Sequence, residues 1–225
     1  MKKPYLLIIT AILYLVLTAG ISLAKDSDVE TIEALKQAVK INPDDAAAHI
    51  TLGHAYGNVG MYKETIEAYK QAIRIDPDMA VAHYNLGAAY GKSGMFKEEI
   101  DAYKRIIRIF PDYANAHYNL GLAYGKLNMH KEAIESFKQA IRINPDDAAA
   151  HTNLGVAYVE SGMYKETIEA YKQAIRIDPD IAVAHNNLGA AYVLLNDIDS
   201  ALEQYKILEN LDSELANKLF NSIYE

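Results

Sequence analysis

An all-α fold, a row of helical hairpins stacked one on the next, is predicted by three regularities in the chain. Apart from Pro4, the prolines Pro43, Pro77, Pro111, Pro145 and Pro179 stand 34 residues apart. Glycine, histidine and tyrosine keep the same step, at Gly53, Gly87, Gly121, Gly155 and Gly189, at His49, His83, His117, His151 and His185, and at Tyr56, Tyr90, Tyr124, Tyr158 and Tyr192. Whole segments also return: MYKETIEAYKQAIRIDPD runs from Met61 to Asp78 and again from Met163 to Asp180. Four residue types in phase over five turns of the count mark an internal repeat, whose units each pack on their neighbours alone.

Taken in order, residues 1–24 read as a signal peptide or an N-terminal membrane anchor. Lys2 and Lys3 precede an uncharged stretch from Tyr5 to Ala24, and Ser22-Leu23-Ala24 offers small residues for cleavage. Twenty uncharged residues also suffice to span a bilayer as a helix, so residues 5–24 are a possible membrane tether. Both readings export the repeats, to a bacterial periplasm if cleaved or anchored to the inner membrane facing it if not. Residues 26–45 match only the second half of a unit and form an N-terminal half-repeat helix, with Ser27 to Glu30 as its expected capping box.

Five full units follow, at 46–79, 80–113, 114–147, 148–181 and 182–215. In the first, AAAHITLGHAYGNV predicts one helix, and MYKETIEAYKQAIRI predicts a second with Ile66, Tyr69, Ala72 and Ile73 on its apolar face. Between them stands Gly60, with Gly94, Asn128, Gly162 and Asn196 at the equivalent places, the two residue types that most readily take the left-handed conformation ending a helix. Each phased proline stops the second helix. The aspartate after it (Asp44, Asp78, Asp112, Asp146, Asp180) is expected to cap the next. Residues 213–225, without the proline, predict a capping helix with Leu215, Leu219, Phe220 and Ile223 turned to the stack.

Composition narrows the function. The 225 residues carry 22 basic and 30 acidic side chains, a net charge of −8 that argues against a nucleic-acid partner. No cysteine is present, which excludes disulfides and thiol chemistry. No phosphate loop and no nucleophile beside a base suggests an enzyme, and no cofactor is called for. The five phased histidines sit about 10 Å apart if the hairpins stack at a helix diameter, too far to share a metal, and are expected to fill space between the helices of a hairpin. Charging them in mild acid would loosen the array. Early acids and late bases on the second helices, such as Glu64 and Arg74, read as a solvated outer face.

The 34-residue unit with Leu52, Gly53, Tyr56, Tyr69, Ala72 and Pro77 resembles the tetratricopeptide repeat. The resemblance implies a right-handed α-solenoid whose concave groove holds a protein or peptide partner. It places Tyr84 and Tyr118 in that groove, beside a ladder of Asn85, Asn119, Asn153 and Asn187 that in the family often bonds a bound peptide's backbone. The ladder is equally read as an asparagine merely frequent before Leu-Gly. Leu122 belongs to an apolar lining, and Lys92 and Lys126 add positive charge midway. Tyr69, Tyr103, Phe137, Tyr171 and Tyr205 fill a core position. The expected role is an exported scaffold or adaptor gripping a peptide or helix. The alternative is a self-assembling homo-oligomeric scaffold at the cell envelope.

Overall fold

The computed structural model describes residues 28–225, so the expected signal or anchor and Ser27 of the expected capping box lie outside the described residues. The described residues are helical throughout, apart from short turns. No helix among them is long and apolar enough to cross a membrane. They form two compact units that divide between Ser93 and Gly94.

The first unit holds α1 (28–41), α2 (Ala46–Asn58), α3 (Tyr62–Ile75) and α4 (Ala80–Lys92), with α2 packed on α3 and α3 on α4. The second holds α5 (Phe96–Ile109), α6 (Ala114–Lys126), α7 (His130–Ile143), α8 (Ala148–Glu160), α9 (Tyr164–Ile177), α10 (Ala182–Leu194), α11 (Ile198–Leu211) and α12 (Ser213–Tyr224). Each packs on the next, and α6 also touches α8, as α8 touches α10. Within this unit the row of first helices is therefore the inner, more closely drawn side. The architecture is an all-α solenoid of stacked hairpins closed by a C-terminal helix.

The turns inside the hairpins follow the sequence. Gly60, Gly94 and Gly162 have φ of 77°, 73° and 71°, and Asn128 and Asn196 have 57° and 58°. The caps do not follow it. The first helices begin two residues after the expected aspartates, so the N-cap positions fall to Asp45, Met79, Tyr113, Asp147 and Ile181. Only Asp45 and Asp147 cap with a side chain, accepting from the amides of Ala48 and Ala150 at 3.0 Å. Asp44 and its equivalents instead lie in the turn that Pro forces before the helix.

The histidines are buried or half-buried, as expected of fillers, and they also make a bond that the sequence does not announce. Each donates from Nε2 to the carbonyl of the proline six residues earlier: His49 to Pro43, His83 to Pro77, His117 to Pro111, His151 to Pro145 and His185 to Pro179, at 2.8–3.0 Å. They tie the turn between hairpins to the helix that follows it. An Nε2–H donor is available to the neutral ring and to the imidazolium alike, so charging the ring leaves this bond in place.

Inside the hairpins, the phased glycines let two helices approach closely. A Cβ on Gly53, Gly121 or Gly155 would run into the ring of Tyr69, Phe137 or Tyr171, all buried on the second helix of the same hairpin. The last hairpin departs from this. Over Gly189 stands Leu219 of α12, while Tyr205 is half-buried, donates its hydroxyl to Glu209 at 2.9 Å and leans on Phe220. Leu219 and Ala216 of α12 are buried and Leu215 and Ile223 partly so, but Phe220 remains 42% exposed, contrary to its expected inward place. The α12 N-terminus is capped by Asp212, which accepts from Glu214 and Leu215.

Between hairpins, Lys70, Lys104 and Lys138 of second helices lie over the rings of Tyr90, Tyr124 and Tyr158 at 5.6–5.8 Å. These bases hold the stack by cation–π contact as well as facing water. Among the described residues one acidic side chain is buried: Glu99, in α5, stands where the other second helices have Thr65, Ala133, Thr167 and Ala201. Lys126 reaches it at 3.4 Å and lies over the Phe96 ring at 5.0 Å.

Two outcomes follow from this packing. Gly155→Ala puts a methyl 2.5 Å from Tyr171 Cε1, whereas Gly125→Ala meets nothing within 4 Å. The first is expected to cost about 1–3 kcal/mol by overpacking and to lower Tm by roughly 2–10 °C in thermal melts. The second is expected to hold or raise Tm, since alanine is the better helix former by about 1 kcal/mol. Burial holds the Glu99 carboxyl above its ordinary 4.5, with the Lys126 charge and hydrogen bond acting the other way. As pH climbs past 4.5, the unfolded chain gives up this proton first, so stability falls through the window above that value. Glu99→Gln should therefore melt with the parent near pH 4 and above it at pH 7; a variant less stable at pH 7 would mean that the Lys126 pair outweighs the burial.

Candidate binding recesses on the first helices

Each unit carries a recess where two successive first helices meet the second helix between them, and the two lie at equivalent repeat positions, 68 residues apart in the sequence. In the first unit it is about 190 Å³, formed by His54, Gly57 and Asn58 of α2, by Tyr62, Thr65 and Tyr69 of α3, and by Asn85, Ala89 and Lys92 of α4. In the second it is about 370 Å³, formed by Gly121, Leu122 and Gly125 of α6, by His130, Ala133 and Phe137 of α7, and by Asn153, Val156, Ala157 and Glu160 of α8. Gly57 and Gly125 lack the Cβ that would narrow the mouth. Phe137 and Tyr69 form the floors because the glycine beneath each lets the ring lie flat between helices.

Of the residues expected to bind, four line these recesses: Asn85 and Lys92 in the first unit, Leu122 and Asn153 in the second. The asparagine amides have partners within the chain. Asn85 donates to His54 Nε2 at 2.8 Å, and Asn153 donates to the Tyr118 hydroxyl at 3.0 Å and to the Ala149 carbonyl. Asn187 bonds the buried Tyr171 hydroxyl and accepts from Asn186. Burial pushes the Tyr171 phenol up to about 12, with the Asn187 bond opposing and the Glu160 charge adding to it. Tyr118 leans on Phe137 with ring centres 5.8 Å apart, and burial first, then Asp147, raises its phenol above the usual range. Asn153 therefore locks the wall of the second recess. Tyr84 and Asn119 are half-buried on α4 and α6. Lys126 is engaged by Glu99, whereas Lys92 has no ion pair among the described residues.

His54, His130 and Glu160 are recess residues that the sequence reading did not single out, and Phe137, expected in the core, also lines a recess. Comparing the last residue of each first helix would have found Glu160: Asn58, Lys92, Lys126, Glu160 and Leu194 occupy one phase and share no chemistry. A larger cavity of about 500 Å³ lies on another side of the second unit, between α8 and α9, lined by His151, Leu154 and Tyr158 and by Lys165, Glu166 and Glu169. None of the expected groove residues reaches it. Among the described residues no cluster of histidine, aspartate and glutamate is arranged to hold a metal ion.

Comparison with known proteins agrees with this geometry. No curated protein matches the chain. The family model described as TPR repeat matches residues 30–60, 60–94, 96–128 and 157–196, and another, tetratricopeptide repeat, matches 114–147. Among solved structures, MamA is 31% identical, with a TM-score of 0.65 over 69% of this chain and 91% of its own. YrrB, described as a TPR protein with an unusual peptide-binding site, is 26% identical, with a TM-score of 0.70 over 84% of this chain and 99% of its own. A MamA fragment from Desulfovibrio magneticus RS-1, at 22% identity and a TM-score of 0.71 over 75% and 96%, shares the fold. With the repeat model matched over more than half its length and the glycine-under-aromatic hairpin in place, the chain belongs to the tetratricopeptide repeat family.

Proposed function

We propose that this protein-interaction scaffold takes a peptide or an amphipathic helix from a protein partner along the face of its first helices. The observation that carries the reading is the recurrence of an open, apolar-floored recess at the same place in both units. A recess of this kind suits a side chain of an extended segment, or of one face of a helix. Tyr84, Asn85, Tyr118, Asn119, Asn153, Asn187, Leu122, Lys92 and Lys126 are the residues proposed to face or support the partner. Tyr118, Asn153 and Asn187 act mainly by holding the wall rigid, so that little ordering is left for binding. The similar YrrB carries a peptide-binding site, which supports a peptide as partner. Export, through residues 1–24, remains part of the reading; the N-terminal sequence of the native protein distinguishes a cleaved leader from a tether.

A second reading, self-association, is favoured by exposed apolar side chains at the two ends of the array. Val29 and Ile41 of α1 are 61% and 84% exposed, and Tyr224 of α12 is 64% exposed. Mass that rises with concentration in light scattering, and falls back in Ile41→Lys, would support it.

For the primary reading, a photo-crosslinking residue at Leu122 of the full chain should trap a partner that the same residue at Arg108, exposed on α5, does not trap. Equal trapping at both positions, or trapping at Arg108 alone, would move the site off the first helices.

A further inference from the structure

Glu160 breaks a local rule that two of its equivalents obey and none of the others breaks. It is the last residue of α8, at the negative end of the helix dipole, where an acid is disfavoured and a base favoured. Lys92 and Lys126 hold that place in α4 and α6, in keeping with the rule. Glu160 is exposed and has no ion pair among the described residues. Its carboxylate and the negative end of the helix dipole thus add their potential at one spot, and that spot borders the 370 Å³ recess. Departures of this kind, locally unfavourable and uncompensated, concentrate at functional positions.

Apart from His130 and Asn153, most of the recess is apolar, and its volume of about 370 Å³ admits a long side chain. Phe137 forms the floor, Leu122 and Val156 the walls, and Gly125 leaves the entrance open. A side chain that fills it needs an apolar stem and a cationic head, which describes arginine and lysine. The aromatic floor suits the stem and, for a guanidinium, stacking as well. In the first unit the equivalent recess ends on Lys92, an unpaired cation in place of Glu160, and so has the opposite preference.

We propose that the recess over Phe137 receives a basic side chain, arginine or lysine, of the partner, with Glu160 as its counter-ion. This rests on the reading that the first-helix face binds protein, and names what the second unit's recess accepts.

The test titrates the full chain with n-butylguanidinium, n-pentylammonium and pentanoate, following the amides of Gly121, Gly125 and Ala157 by nuclear magnetic resonance. The two cations should move these amides with dissociation constants roughly in the millimolar range, as befits ligands of so few atoms. Pentanoate should not move them. Glu160→Gln should weaken the cations about three- to fivefold, as for an exposed ion pair. Glu160→Lys should abolish their binding while keeping a Tm at or above the parent's, because lysine already occupies this place in two other helices. Glu169→Gln, which removes the same charge from α9, should leave the titration unchanged. Cation shifts insensitive to Glu160→Gln, or shifts of equal size with pentanoate, would overturn the proposal. No shift with any of the three would also overturn it. In each case crosslinking at Leu122 reports separately on whether the face binds protein at all.

Discussion

The close approach of two helices across a glycine is the contact on which the rest of this structure depends. Where Tyr69, Phe137 and Tyr171 lie against Gly53, Gly121 and Gly155, no side chain larger than hydrogen fits, and the hairpin angle is set by that contact. Everything else in the unit is spaced from it. The left-handed residue that turns the chain, the proline that stops the second helix and the histidine that fastens the turn each keep a fixed distance from the glycine, so the 34-residue step is a packing length written into the sequence. Repetition then does the work of a large core. Each hairpin covers its neighbour, and no contact has to be made between distant parts of the chain.

That regularity is why the architecture was legible in the sequence. A residue that packs the same way in every hairpin recurs at the same phase, and Gly60 with its glycine and asparagine equivalents even announced the sign of φ. What the sequence hid were choices that phase does not decide. The phased aspartates and the true N-caps are one residue apart, and in two repeats the true cap is itself an aspartate, so composition alone gave the cap to the wrong one. The histidines bond a carbonyl, and a backbone acceptor leaves no mark on the sequence. Tyr205 keeps the phase of a core aromatic, yet the chain end supplies Leu219 in its stead, a substitution visible only once α12 is folded back.

The recess residues divide along the same line. Asn85, Leu122 and Asn153 could be placed because the repeat puts them on the first helices. Glu160 could not, because it is the exception at its phase, and a reading that searches for sameness passes over difference. In a repeat protein the conserved phase describes how the array stands up, and the irregular phase describes what one particular array recognises. Asn58, Lys92, Lys126, Glu160 and Leu194 are a row of such irregularities on one scaffold. Each can be exchanged with little effect on the packing beneath, as the presence of lysine, glutamate, asparagine and leucine at one structural place attests.

The plug that Leu219 makes over Gly189 also covers the last hairpin. In a stack held by neighbours alone, unravelling starts where a hairpin is covered on only one side, and α12 stands at such a place. Its own hold is two buried residues, Ala216 and Leu219, with Leu215 and Ile223 half-engaged. A protease that clipped the chain after Asp212 would bare the groove above Gly189, an opening shaped for an aliphatic or aromatic side chain. The trimmed end would then be both the point from which the array unzips and a surface that adheres to any chain offering such a residue.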